Sequence, residues 1–461
     1  MIMKSVPART TRKAGVGLSL CVMAGWSLWL APAVQAAEAS APPYCEIDAP
    51  ADRTTITCPY VLAEDTVQAG DTGATVTVNG TNAGTIQGGA GDDTITVTGA
   101  NGTPGAQGAT GSYGKRGTDG KPGTDGAVAN TGLIDAGGGL NTITLRGGHG
   151  GTGGSGGNGG HASGGDQAGD AGDGSGGGKG ASANTGRVVT GSGGSITLTG
   201  GSGGDGGAGG DGGTNPCTPN CGGPDGHGGS GGPGGEAGHG SAAASTMSAI
   251  TVAGHSDIRV TGGKGGDGSP GGASGGPHAS AGGTGGGGSG GAGNHTGAIS
   301  ASASPVTANG GQGGNGADGG SGNAGTIDAE TATATGGNGG GTSSSDLRQP
   351  PGSGGAGNTG SITAKTATVT GGNSGEGFSG AGSQGGDGNT GTITADTVTA
   401  AGGDTLSGGA PGGSGNAGTI TATNQTVTDG KSPNNGQPDD QPESRNASPA
   451  SAAVNGPRPP V

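Results

Sequence analysis

Residues 323–337 read NAGTIDAETATATGG, and this stretch decides the fold because it returns. It recurs as NTGSITAKTATVTGG from Asn358, as NTGTITADTVTAAGG from Asn389 and as NAGTITATNQTVTDG from Asn416. A unit that repeats at this length is one supersecondary element stacked on its neighbours. Each copy has the same order. An Asn-x-Gly turn comes first, then a short strand with Ile, a brief corner, a second strand rich in Thr and Val or Ala, and Gly-Gly.

The same order is visible further upstream, stretched by insertions. NAGTIQGGAGDDTITVTG starts at Asn82, NTGLIDAGGGLNTITLRGG at Asn130 and NTGRVVTGSGGSITLTGG at Asn184. Degenerate copies start at Ser245 and Asn294. Together these make nine coils. Apolar residues alternate within them, as in Ile95/Val97, Ile143/Leu145, Ile196/Leu198 and Ile258/Val260. Period two with β-branched residues between glycines predicts strands. No coil can bury its apolar face alone, but stacked coils can. The predicted inward ladder is Ile86, Ile134, Val188, Ile250, Ile299, Ile327, Ile362, Ile393 and Ile420. Later coils carry Ala behind the Ile (Ala329, Ala364, Ala395, Ala422), so their interior should be thin. The repeated Asn is expected to form a ladder of its own that satisfies turn backbone groups. The expected fold class is therefore all-β: a repeat β-solenoid of about nine short coils with long glycine-rich insertions.

The insertions have a period of three. From Gly102 to Val128 every third residue is Gly, a collagen-like pattern, while GGHGGTGGSGGNGGH from Gly147 and GGSGGDGGAGGDGG from Gly200 follow Gly-Gly-x. Three residues per turn is the repeat of the polyproline II helix, whose backbone groups all point outward and are free to bond to a neighbour. Packed extended helices of the polyglycine II kind are one reading. Disordered Gly/Ser/Asp loops are the other. A collagen triple helix at 102–128 would need three chains and more proline than the tract holds.

Composition sets outer limits. Glycine supplies 128 of 461 residues, against about 7% in ordinary chains. Aromatics are only 1%, so a core of large side chains is not available. The net charge is −15, and the basic residues Lys4, Arg9, Arg12 and Lys13 stand in a segment without acids. Nucleic acid and anionic membrane reward basic surfaces and are not expected partners.

Residues 1–36 read as a signal peptide: a basic start, an apolar run from about Ala14 to Leu30, and Val34-Gln35-Ala36 as a small-residue cleavage pattern. A retained anchor is the alternative, and no later segment is apolar enough to span a membrane after cleavage. Cys21 would leave with the signal. The remaining Cys45, Cys58, Cys217 and Cys221 are even in number, which favours disulfides in an exported protein. Three connectivities are open, with the local pairs Cys45–Cys58 and Cys217–Cys221 preferred over a metal site with His227 and His239. Residues 37–70 are expected to form a Cys-containing N-terminal cap, 71–430 the solenoid region, and 431–461 a disordered tail rich in Pro, Ser and Asn.

One segment carries a ligand signature. Gly88–Thr96, GGAGDDTIT, fits the calcium nonapeptide G-G-x-G-x-D-x-U-x and resembles the RTX repeats of secreted bacterial proteins. The resemblance implies calcium at Asp92/Asp93. RTX sites need tandem copies, and the degraded second copy, Ala136–Thr144, has Asn141 where Asp belongs, so a structural corner is the preferred reading. No other cofactor is indicated. Single Asp residues between glycines, such as Asp205, Asp211 and Asp267, read as solvated charge or weak divalent-cation sites. No Ser, His and Asp combination has a framing motif, and the few aromatics leave no platform for a sugar substrate.

The coils resemble, in style, the strand repeats of bacterial surface-exposed β-solenoids such as autotransporter passengers and filamentous adhesins. The Gly-Gly-x tracts resemble in composition the PGRS regions of mycobacterial glycine-rich proteins and the polyglycine bundles of some antifreeze proteins. These resemblances imply a non-catalytic secreted or cell-surface structural or adhesive protein. Its partners would be extracellular matrix, a cell-surface polymer or a second copy. The alternative is an extracellular protein that binds calcium, or ice through Thr faces such as Thr331/Thr333/Thr335 and Thr366/Thr368/Thr370.

Overall fold

The computed structural model describes residues 38–49, 53–163, 166–191, 193–215, 224–229, 249–277, 279–342, 350–377, 382–408 and 410–433. Residues 1–37, Cys217, Cys221, His239 and the tail beyond 433 lie outside them, and so do the expectations made for those positions. All described residues belong to one unit, and none is helical.

The first strands, β1 (Glu46–Asp48) and β2 (Thr54–Cys58), pair antiparallel. Every later pairing between strands is parallel. The pairs β3 (Thr66–Gln68) and β4 (Ala74–Val78), β5 (Thr85–Gln87) and β6 (Thr94–Thr98), and β7 (Leu133–Asp135) and β8 (Asn141–Arg146) each make one coil. So do β9 (Arg187–Thr190) with β10 (Gly194–Thr199), and β11 (Ala249–Val252) with β12 (Ser256–Thr261). In the last coils the two strands merge into single ones: β13 (Ala298–Asn309), β14 (Thr326–Thr335), β15 (Ser361–Thr370), β16 (Thr392–Ala401) and β17 (Thr419–Thr428). The corner survives as a register irregularity between Ala301 and Pro305.

The coils stack into two faces. The first runs β3, β5, β7, β9, β11 and then the opening halves of β13 to β17. The second runs β2, β4, β6, β8, β10, β12 and the closing halves of β13 to β17. The fold is an all-β repeat solenoid. It has one coil more than the nine read from the sequence, at Val61–Asn79, where Val61 pairs with Asn82 in the Asn column. β3, within the stretch 37–70, therefore lies inside the solenoid. The signal was hidden because Val61-Leu62-Ala63 replaces Asn-x-Gly.

Like residues meet between the faces. Val67, Ile86, Ile134, Val188, Ile250, Ile299, Ile327, Ile362, Ile393 and Ile420 are successive register partners. All but the last, on the end coil, are buried. Opposite them the ladder from Ile95, Ile143 and Ile196 gives way to Ala332 and Ala367. The thin end has less apolar area to remove from water, so backbone ladders carry more of its stability.

The glycine-rich tract at 99–128 leaves the second face, turns and returns to Asn130 of the next coil. The first arm pair shows how. Gly102 N–H bonds to His149 O at 2.7 Å and Gly105 N–H to Thr152 O at 2.8 Å, both in the next coil. Lys121 N–H, on the returning arm, bonds back to Ala106 O at 2.8 Å. The turn between the arms passes through Gly114 at φ 60°, a left-handed position that glycine occupies without strain. The described parts of the insertions are thus extended arms hydrogen-bonded into a blade.

Candidate functional site

The spacing of glycine in each arm follows from how many neighbours the arm has. A Cβ on Gly150 would lie 1.9 Å from Gly178 O, and one on Gly151 would lie 2.0 Å from Thr103 O. Arms 147–163 therefore face backbone on two sides, and two residues in three must be Gly. The first pair, 99–128, has no arm on its N-terminal side, because Asn79–Thr81 joins its coils directly. One glycine per triplet suffices there, which accounts for the collagen-like pattern without a triple helix.

The third residue of a triplet points outward, and in several triplets a side chain of the preceding coil accepts its N–H. In the triplet Asp211-Gly212-Gly213, Gly212 N–H bonds to Ala273 O at 2.9 Å and Gly213 N–H to Gly169 O at 2.9 Å. Asp211 N–H bonds to Asn158 Oδ1 at 3.0 Å, and Asp211 Oδ1 in turn accepts Ala273 N–H at 2.8 Å. Asp205 Oδ1 accepts Asp267 N–H at 2.8 Å, and Asp267 Oδ1 accepts Asn315 N–H at 3.1 Å. His149 Nδ1 accepts Ser202 N–H at 2.9 Å and His161 Nδ1 accepts Thr214 N–H at 3.1 Å. These acids and histidines are staples between coils. Aligning the tracts on their first Gly-Gly would have revealed these rows, since each acceptor sits one coil before its donor at the same triplet position.

The nonapeptide corner is also a joint. Asp93 is 1% exposed. Its Oδ1 accepts Ala74 N–H at 2.7 Å and its Oδ2 accepts Gly89 N–H at 3.1 Å. Its own N–H goes to Asn141 Oδ1 at 2.9 Å, and Asn141 Nδ2 donates to Gly138 O at 2.7 Å and Ala136 O at 3.0 Å. Asp92 turns elsewhere and accepts Leu140 N–H at 2.6 Å. The two carboxylates therefore serve different joints, and both are occupied by N–H donors. Burial pushes the Asp93 carboxyl up from the ordinary carboxylate range, against the pull of the Ala74 and Gly89 N–H groups. Among the described residues no three His, Cys, Asp or Glu side chains converge as a metal set.

At the N-terminal end Cys45 and Cys58 form a disulfide. Tyr44 and Tyr60 stack beside it with ring centroids 4.9 Å apart, and the Tyr44 hydroxyl donates to Asp65. Burial raises the Tyr44 phenol above its usual range, with the Asp65 bond adding to it. The antiparallel β1 covers the edge of β2, which would otherwise present unpaired backbone.

The second face carries the most regular outward surface. Its central column runs Thr57, Thr77, Thr96, Thr144 and Thr197, then Arg259, then Thr307, Thr333, Thr368, Thr399 and Thr426, each the register partner of the next. A second column beside it holds Thr55, Thr75, Thr94 and Thr142 at one end and Thr331, Thr366 and Thr397 at the other. The threonines singled out in β14 and β15 thus belong to a lattice spanning the second face. Its early half was legible as Thr-x-Thr in every second strand. Compared with known proteins, the chain matches no family model, no curated protein and no solved structure, so its own geometry is the guide to what it does.

Proposed function

We propose that this chain is a non-catalytic, exported structural or adhesive protein, a solenoid spine that carries a glycine-rich blade and presents long periodic faces. One observation carries the reading. Asp93, His149, Asp205 and Asp211, side chains that could do chemistry, are spent as acceptors for backbone N–H groups of adjacent coils. A catalytic base or acid needs a free, positioned proton site facing a substrate, and these groups face the protein's own backbone. The basic, apolar N-terminus and the Cys45–Cys58 bond support export to an oxidising compartment.

Microspheres coated with residues 37–461 test it. They should resist washing on matrix proteins, on cell-wall polymers or on a surface coated with the same chain, without turnover of ester, glycoside or peptide substrates. Beads that wash off all of these as albumin-coated beads do would remove the adhesive reading.

A further inference from the structure

We propose that the outward threonine lattice of the second face is an ice-binding surface. This deepens the adhesive reading by giving that face a partner, and it rests on the chain being exported.

The lattice has two fixed repeats. Register partners in neighbouring strands lie roughly 4.8 Å apart, and threonines two apart in one strand lie roughly 6.6 Å apart. The first repeat falls close to that of the hexagonal ice lattice along its a axis, and the second lies somewhat under the repeat along its c axis. Thr is β-branched and stiff at χ1, so methyl and hydroxyl groups repeat in fixed positions. Behind the columns lie wholly buried residues such as Ile95, Ile143 and Val369, which hold the sheet in place. The methyl rows leave first-shell water with restricted orientations, and the hydroxyls anchor it. One such contact is weak. A surface that repeats with its ligand adds many of them, and avidity grows with the number of matched rows.

The face lacks what other partners require. Its columns hold no aromatic ring to stack a sugar or anchor a protein interface. Charge on the face comes from Arg53, which donates to Thr94 Oγ1 at 2.9 Å at the early edge, and from Arg146, Asp257 and Arg259, with Arg259 and Asp257 paired at 3.3 Å. Charged groups bind liquid water strongly, and Arg146, Asp257 and Arg259 divide the lattice into an early patch centred on Thr96 and a late patch centred on Thr368.

The test uses residues 37–461 and a slowly grown ice hemisphere, with the fraction of protein taken into the ice as the readout. Circular dichroism confirms that each variant keeps its β spectrum. The unmodified chain should enter the ice and shape growing crystals. Thr333→Lys combined with Thr368→Lys should lower incorporation, and adding Thr96→Lys should bring it to the level of excluded albumin. Thr363→Lys and Thr394→Lys, outward on the first face, should leave it unchanged. Asp257→Thr with Arg259→Thr should raise it by joining the patches. Exclusion of the folded, unmodified chain overturns the proposal, as does incorporation insensitive to the lattice variants. Binding to cellulose or chitin in place of ice, with the same sensitivity, assigns the face to a polymer and also overturns it. The microsphere assay is independent of these outcomes, so the adhesive reading can stand if the ice proposal fails.

Discussion

Asn323 donates its side-chain amide to Oδ1 of Asn358 at 2.7 Å, and both residues are 0% exposed. Asn358 passes the bond on to Asn389 at 2.7 Å, and Asn389 to Asn416 at 2.8 Å. The second amide N–H of Asn358 reaches Gly360 O in its own turn at 3.3 Å. The same ladder joins Asn82, Asn130 and Asn184. An amide is the side chain that can accept from one coil and donate to the next, which is why this position repeats when the insertions do not.

Asn358→Ala should therefore destabilise strongly. It strands an Asn323 N–H and the Asn389 Oδ1 in a dry column, at a cost of roughly 2–5 kcal/mol for the two groups together. Asn358→Asp should be nearly as harmful at neutral pH, because two acceptors then face each other at Asn389. Asn82→Ala should cost less, since Asn82 Oδ1 has no hydrogen-bond partner and the preceding place in the column is held by Val61, which has no amide. Urea denaturation followed by the β signal ranks the three. Equal midpoints for Asn82→Ala and Asn358→Ala would remove the ladder as a source of stability.

Within the blade, Gly154→Ala should open the arms without melting the spine. The new Cβ would sit 2.0 Å from Ala106 O, so the arm must shift and lose the Gly154 N–H bond to Lys121 O at 2.8 Å. Thr152→Ala, at the exposed position of the same turn, should be neutral. Amide hydrogen exchange is the measurement. Faster exchange at Gly105 and Gly154 with unchanged protection at Ile143 is the expected result, and unchanged exchange throughout the blade would count against close arm packing.

Much of the spine was legible in the sequence because Asn, Ile and Gly-Gly recur at fixed offsets. The coil at Val61 was not, because its Asn had been replaced and only Val67, Val76 and Val78 kept the alternation. The order of the blade was half legible. Period three predicted extended helices, but whether they pack depends on each arm having a bonded neighbour, which is a tertiary property. The staples were misread for the same reason. Asp267 reads as solvated charge until Asp205 is placed one coil before it. The corner at Asp93 matches a calcium signature letter for letter, yet ligation depends on where oxygens converge. Here backbone N–H groups converge on Asp93 instead.

Asp93 and Asp119 should respond to pH in opposite directions. Burial raises the Asp93 carboxyl above its unfolded value, so its contribution to stability is complete below the unfolded pKa of about 3.9 and is lost as pH rises through the raised folded value. Asp119 is lowered, chiefly by the N–H of Asp173 at 2.9 Å and then by Arg116 at 2.8 Å. Its contribution is present above the unfolded pKa and is lost as pH falls through the lowered folded value. Asp93→Asn should remove the first dependence at a fixed cost, because its amide N–H groups would face the Gly89 N–H that Oδ2 now accepts. The melting-temperature deficit of Asp93→Asn between pH 3 and 7 should therefore be largest at the acid end and shrink as pH rises. EDTA should leave the β spectrum of the unmodified chain unchanged, and a calcium-dependent gain would reinstate the ion at this corner.

Reduction should act at one end only. Cys58 is 0% exposed and stands in register with Val78, so it closes the inward ladder where no further coil protects it. Its bond to Cys45 ties down the segment that carries β1, which is itself exposed along its length. The crosslink spans 13 residues, and a loop of that size contributes about 3 kcal/mol by restricting the unfolded chain. Without it the segment is held by the β1–β2 pairing, the Ser40–Gln68 bridge and the Tyr44–Asp65 bond, and release of β1 would uncover a parallel edge ready to pair with another chain. Reduced protein should therefore lose protection at Ile56 and Val76 first and self-associate with time, while Ile327 and Ile362 exchange as before. Light scattering and hydrogen exchange after dithiothreitol check both parts. Uniform loss of protection from Ile56 to Ile362 would show instead that the solenoid unfolds as one cooperative block.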